Sequence, residues 1–131
     1  MATTLTPTIT ISSTDATSES VSISVSDSIS LGSNDSVIWR TYSPDDVSPG
    51  GVQIYDTNLA KCYIYIKNIH ASLDIHITAA AATAQADAWM MLSPGEFAYF
   101  PWAGKVDLFA NSGNNGMGIA ANGLEVVIWQ L

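Results

Sequence analysis

Positive charge is the scarcest feature of this sequence: Arg40, Lys61, Lys67 and Lys105 are its only cations in 131 residues, against twelve acidic side chains and a formal net charge of −8. Four scattered cations cannot neutralise a run of phosphates, so nucleic-acid binding is not expected. The same deficit argues against docking on an anionic membrane. Charge of either sign is sparse, at 12% of residues, about half the usual share. Such a chain either has a polar, uncharged surface or hides much of its surface in contacts. Its acidity keeps free subunits apart and soluble before they assemble. Cysteine is nearly absent as well. Cys62 stands alone, which excludes an intrachain disulfide, and its place in an alternating strand reads as a small buried hydrophobe. Residues 1–20 lack the basic start and apolar segment of a signal peptide, and no apolar run approaches a membrane span. The expectation is a protein made and held in the cytoplasm of whatever cell makes it until it assembles.

Residues with catalytic or ligand chemistry are equally few. His70 and His76 with Asp74 could in principle hold zinc, but their spacing matches no standard site. His76 beside Asp74 reads instead as a surface pair on a sheet. Asp45-Asp46 with Asp56 offers oxygen ligands without the spacing of a defined calcium loop. Pro44 and Gly50-Gly51 make that segment ordinary turn chemistry, with calcium as the minor alternative. Glu96 has no partner acid at the spacing of glycoside hydrolysis. No Gly-x-Ser-x-Gly, P-loop or dinucleotide fingerprint is present. The reading is of a non-enzyme with no cofactor and no metal.

What is present is β patterning. Residues 1–20, rich in Thr and Ser, read as an extended N-terminal arm that orders on contact, with Thr8-Ile9-Thr10-Ile11 as a short strand. From Val21 the chain alternates: Val21, Ile23, Val25, Ile29 and Leu31 are separated by serines, the period-two signature of a half-buried strand. Asp27 breaks the apolar set and predicts a bend or bulge at Ser26-Asp27-Ser28. Turn residues cluster at 32–35, 43–51 and 111–116. Between them, strands are predicted at 37–42, around Val52 and Ile54, and at 62–67, 73–77, 89–92, 97–102, 106–110 and 124–131. Pro94-Gly95 suits a type II turn. The alanines of 79–88 favour a helix by propensity but lack a large apolar stripe to dock one, so a loop with at most one helical turn is expected. Residues 21–131 therefore read as a single all-β domain, an antiparallel β-sandwich or jelly-roll-like barrel.

The aromatics of these strands are too many for one small core. Phe97, Tyr99 and Pro101 share one face of their strand, and Ala98, Phe100 and Trp102 the other. Val126 and Ile128 likewise oppose Val127, Trp129 and Leu131. Strands apolar on both faces are covered on both faces, and the simplest second cover is a symmetry mate. The expected oligomer seam is Tyr63, Tyr65, Phe97, Tyr99, Phe100, Trp102, Val127, Trp129 and Leu131. A carbohydrate platform is the alternative use of such rings.

The series Tyr63-Ile64-Tyr65-Ile66-Lys67-Asn68, Leu92-Ser93-Pro94-Gly95-Glu96-Phe97, Tyr99-Phe100-Pro101-Trp102, Val106-Asp107-Leu108-Phe109-Ala110 and Leu124-Glu125-Val126-Val127-Ile128-Trp129 resembles small β-sandwich virion proteins of tailed bacteriophages. The resemblance covers roughly residues 60–131, more loosely the ribbon from Val21. It implies a capsid decoration or cement protein, commonly trimeric, with the major capsid protein as partner and the capsid surface of the virion as its location. It brings no catalytic residues. The arm lies outside the matched pattern; Thr8, Ile9 and Ile11 of the arm and Val21 and Ile23 of the adjacent ribbon are the expected capsid contacts. The alternatives are a carbohydrate-binding module of a phage fibre or tail, or another minor head or tail component.

Overall fold

A computed structural model of the chain describes residues 3–15, 19–31, 37–43, 51–57, 60–79, 88–112 and 123–131. Twelve strands and no helix occur among them, in two compact units, Met1–Asp35 and Ser36–Leu131.

The first unit is a two-stranded ribbon. Strand β1 (Thr3–Leu5) pairs antiparallel with β4 (Ile29–Leu31), and β2 (Thr8–Ser13) pairs with β3 (Val21–Ser26). Leu5 faces Ile29 and Thr8 faces Ser26 with the same offset, so the two ladders share one register. No residue is inserted, and the bulge expected at Ser26-Asp27-Ser28 is not there. The ladder lapses because Pro7 has no N–H to give. Its carbonyl still accepts from Asp27 N at 3.2 Å, and Asp27 Oδ1 takes the Ser28 N–H at 2.7 Å. One face of the ribbon is therefore all hydroxyl, with threonines on β1 and β2 opposite serines on β3 and β4. The other carries Leu5, Ile9, Ile11, Val21, Ile23, Val25, Ile29 and Leu31, interrupted by Pro7 and Asp27. Because β3 and β4 pair with the first strands, they belong to the same compact unit as β1 and β2.

The second unit holds eight strands: β5 (Val37–Tyr42), β6 (Val52–Tyr55), β7 (Cys62–Asn68), β8 (Ile75–Ala79), β9 (Ala88–Leu92), β10 (Phe97–Trp102), β11 (Leu108–Asn111) and β12 (Leu124–Gln130). They form two antiparallel four-stranded sheets, ordered β10-β7-β12-β5 and β6-β11-β8-β9. The pairs are nested: β5 with β12, β6 with β11, β7 with β10, β8 with β9. A ribbon of nested pairs folded over on itself is a jelly roll, within the all-β antiparallel class expected from sequence.

Period-two alternation builds the core. Cys62, Ile64 and Ile66 of β7 and Leu124, Val126 and Ile128 of β12 are buried against Ile54, Ile75, Ile77, Leu92, Leu108 and Ala110 of the facing sheet. Each large aliphatic side chain so buried contributes about 1.5–3 kcal/mol. Asn68 closes β7 and ties the sheets together. Fully buried, its Nδ2 donates to Leu73 O and Leu92 O, both at 2.8 Å, and its Oδ1 accepts from His70 N at 2.9 Å. The next turn has the expected type II form: Gly95 sits at φ 84° and Glu96 N donates to Ser93 O at 2.9 Å.

Some expectations are corrected. His76 is only 6% exposed, not a surface residue, because β8 is flanked by β9 and β11 and places Met91 and Asn111 directly beside it. Asn111 lies in β11 rather than in a loop tip, and Ser112 is buried with it. Strand β11 begins at Leu108, and Trp102 Nε1 donates to Val106 O at 3.0 Å across the preceding connection. The expected turns at 32–35 and 44–50, the Asp45/Asp46 calcium alternative, the interior of the 79–88 segment and the tip at 113–116 lie outside the described residues.

Candidate functional site

The register of the β10-β7-β12-β5 sheet assembles its outer face in three rows. Pro101, Tyr63, Trp129 and Val37 form one, Tyr99, Tyr65, Val127 and Trp39 the next, and Phe97, Lys67, Glu125 and Thr41 the last. Eight of these twelve positions are aromatic or aliphatic. Alternation put these residues opposite the buried set, and pairing of four such strands merged them into one continuous surface.

The rings are packed but not covered. Tyr63 stacks on Tyr99 with centroids 5.8 Å apart, Trp129 meets Tyr99 edge-on at 6.1 Å, and Phe97 tilts against Tyr65 at 6.1 Å. Trp39 remains 70% exposed and Phe97 64%. The Trp39 indole N–H donates to Glu125 Oε1 at 3.0 Å, which fixes the ring over the sheet. Burial raises the Tyr65 hydroxyl above its ordinary pKa, and the Glu125 carboxylate adds to the rise. Lys67 and Glu125 sit directly across from each other, so the face carries no formal net charge.

Of the seam residues read from sequence, Tyr63, Tyr65, Phe97, Tyr99, Val127 and Trp129 come together here. Leu131 follows the end of β12 and is exposed. Phe100 and Trp102 point to the opposite face, where they pack against the core. There Trp89 of β9 stacks on Trp102 at 5.9 Å and meets Phe100 edge-on at 5.5 Å, closing the β9–β10 side of the sandwich. Trp39, the most exposed aromatic of the face, was not among the sequence candidates. Val37–Tyr42 alternates legibly, but only its register with β12 shows which neighbours Trp39 joins.

The ribbon bears a second uncovered surface. On its apolar face Ile9 pairs with Val25 and Ile11 with Ile23, and these four are between 45% and 59% exposed. Further along the same stripe Ile29 and Leu31 are buried. Of the expected capsid contacts, Ile9, Ile11, Val21 and Ile23 share this face, and Thr8 belongs to the hydroxyl face.

Elsewhere, His70 and Tyr55 serve structure. His70 Nδ1 accepts from Ser72 N and Leu73 N at 3.2 and 3.0 Å, holding the turn after β7. Burial pushes the Cys62 thiol up to about 11, partly offset by Tyr55 beside it, and a thiol held protonated is a poor nucleophile. The Tyr55 hydroxyl, also raised by burial, donates to Ala60 O at 2.8 Å. A groove of about 200 Å³ lies between the edges of β5 and β6, lined by Arg40, Tyr42, Gln53 and Asp56 among others. Among the described residues, no three His, Cys, Asp or Glu side chains are grouped to hold a metal ion. Comparison of the chain with family models, with curated proteins and with solved structures finds no match.

Proposed function

We propose that this chain is a structural component of a phage particle, a capsid decoration protein that binds the head shell as a homo-oligomer, with a trimer as the favoured stoichiometry. The observation that carries the reading is the aromatic outer face of the β10-β7-β12-β5 sheet. A contiguous apolar surface on a small domain marks an interaction site, and this one lacks the net charge that would exclude a second acidic copy. The jelly roll serves viral capsid and lectin domains alike, so the fold admits the reading without selecting it. The sequence resemblance of residues 60–131 supports the virion assignment, and the major capsid protein is the proposed shell partner.

The test is sedimentation of the purified chain together with immunogold labelling of phage particles. Self-association at micromolar concentration and label on the head support the proposal. A stable monomer, or label confined to tail or fibre, overturns it. A carbohydrate platform is the second reading, favoured by Trp39, whose ring is held in place by Glu125 yet open to solvent. Glycan binding abolished by Trp39→Ala would establish that use of the face.

A further inference from the structure

We infer that the aromatic sheet face is covered by the β2–β3 ribbon of a second copy of the chain; this rests on the homo-oligomer reading and names the surfaces that join. Two apolar surfaces are open in the same molecule at once. Trp39 and Phe97 on the sheet and Ile9, Ile11, Ile23 and Val25 on the ribbon are all exposed, and on the homo-oligomer reading a second copy supplies their cover. A two-stranded ribbon alone is marginal in water, and its stripe passes from buried Ile29 and Leu31 to this exposed half without a change of register. A ribbon built with an apolar face and left without a layer beneath it is half of a sheet-on-sheet contact.

The dimensions agree. Strands β2 and β3 have six residues each, as do β5 and β10 at the two edges of the sheet. Successive pairs on either surface repeat at about 7 Å, and two sheets pack about 10 Å apart. Charge agrees as well. Each copy carries a net charge of −8, so most surfaces of two copies repel. Strands β2 and β3 hold no charged residue, Asp27 on the same face lies beyond the end of β3 where the ladder lapses, and Lys67 and Glu125 balance on the sheet face. This is a contact that two acidic molecules can make without opposing like charges. The hydroxyl face of the ribbon then stays outward, free to meet a hydrated partner such as the shell. Made reciprocally, two such contacts close a two-fold pair; passed head to tail, they close a ring or run on as a filament.

The experiment uses full-length chains in sedimentation velocity. Ribbon variant Ile11→Lys/Ile23→Glu puts opposite charges across one ribbon pair, which preserves ribbon pairing while removing its apolar face. Sheet variant Trp39→Lys disables the other surface. Each variant alone is expected to weaken association about 100-fold or more, given the apolar area lost. An equimolar mixture is expected to recover a dimer, because one intact ribbon and one intact face remain. In the double variant Ile11→Cys/Val127→Cys, oxidation is expected to give disulfide-linked dimers, a readout independent of ribbon stability, and an intrachain disulfide in place of the dimer overturns the inference. A ribbon variant that associates like the parent chain overturns the inference and leaves the homo-oligomer reading standing. A mixture that stays monomeric also overturns it. A parent chain that is monomeric throughout overturns both.

Discussion

Replacing Asn68 by Leu removes a cross-sheet tie at nearly constant side-chain volume. Asn68 is fully buried at the end of β7 and makes three side-chain hydrogen bonds, to Leu73 O, Leu92 O and His70 N. Each such bond has a net value of about 1 kcal/mol, and a fully buried group left without its partner costs about 1–3 kcal/mol. Leucine at this position strands the buried Leu92 carbonyl and removes the two part-buried bonds to Leu73 O and His70 N, so Asn68→Leu is expected to lose about 3–5 kcal/mol. That is a large part of the ~5–15 kcal/mol available to a domain. Urea denaturation followed by tryptophan fluorescence reads it directly: with a slope near 2 kcal/mol/M, the midpoint falls by about 2 M. Asn68→Asp separates hydrogen bonding from packing. The introduced carboxyl keeps an acceptor for His70 N but turns oxygen towards two carbonyls. Burial and those carbonyls favour its neutral form, so its folded pKa lies above the unfolded value of about 4. The stability gap to the parent chain is then widest at neutral pH and narrows on acidification. A loss below about 1 kcal/mol for Asn68→Leu would falsify the assignment of Asn68 as a tie.

Three further expectations follow from particular residues. Gly51 lies at φ 75°, and a Cβ there collides with the Ala110 carbonyl, whereas Gly95 at φ 84° has open space around it. Gly51→Ala should cost well above the ~1–2 kcal/mol of left-handed strain that Gly95→Ala incurs, read as a difference in melting temperature. Cys62, its thiol pushed up to about 11, stays protonated in the folded chain while the unfolded thiol ionises near 9. The corresponding stability is fully present below pH 9 and is lost as pH rises to 11, by about 2–3 kcal/mol; Cys62→Val should flatten that part of the pH–stability curve, and an unchanged slope would discount the thiol. Ile64→Ala should lose about 2–5 kcal/mol by cavity formation, while Trp39→Ala should leave thermal stability of the unassociated chain within about 0.5 kcal/mol. Equal losses from the two would place Trp39 in the core.

The strands were legible where alternation is strict. Cys62-Tyr63-Ile64-Tyr65-Ile66 states its own two faces, and its burial follows residue by residue. Which apolar face would stay open was not legible. In Phe97-Ala98-Tyr99-Phe100-Pro101-Trp102 both faces are apolar, and the difference lies in a distant partner, because Trp89 and the facing sheet take Phe100 and Trp102. Burial of His76 was hidden for the same reason: polarity at one position says nothing of the strands on either side of it. Asp27 misled in another way. A charged residue in an apolar register suggested an inserted residue, yet the interruption comes from Pro7 across the ribbon, a pairing invisible along the chain. Trp39 joined the candidate surface only once β5 was in register with β12.

The nested strand pairing also sets the order in which the chain can fold during synthesis. Strand β12, last in sequence, lies between β7 and β5 at the centre of its sheet, so that sheet cannot close until translation has passed residue 130. The ribbon, whose partners are separated by at most 28 positions, can pair while the remainder is still being made. Loop closure over such unequal distances favours an early ribbon and a late jelly roll. The emerging chain then carries an apolar hairpin before the sheet that holds β12 can close.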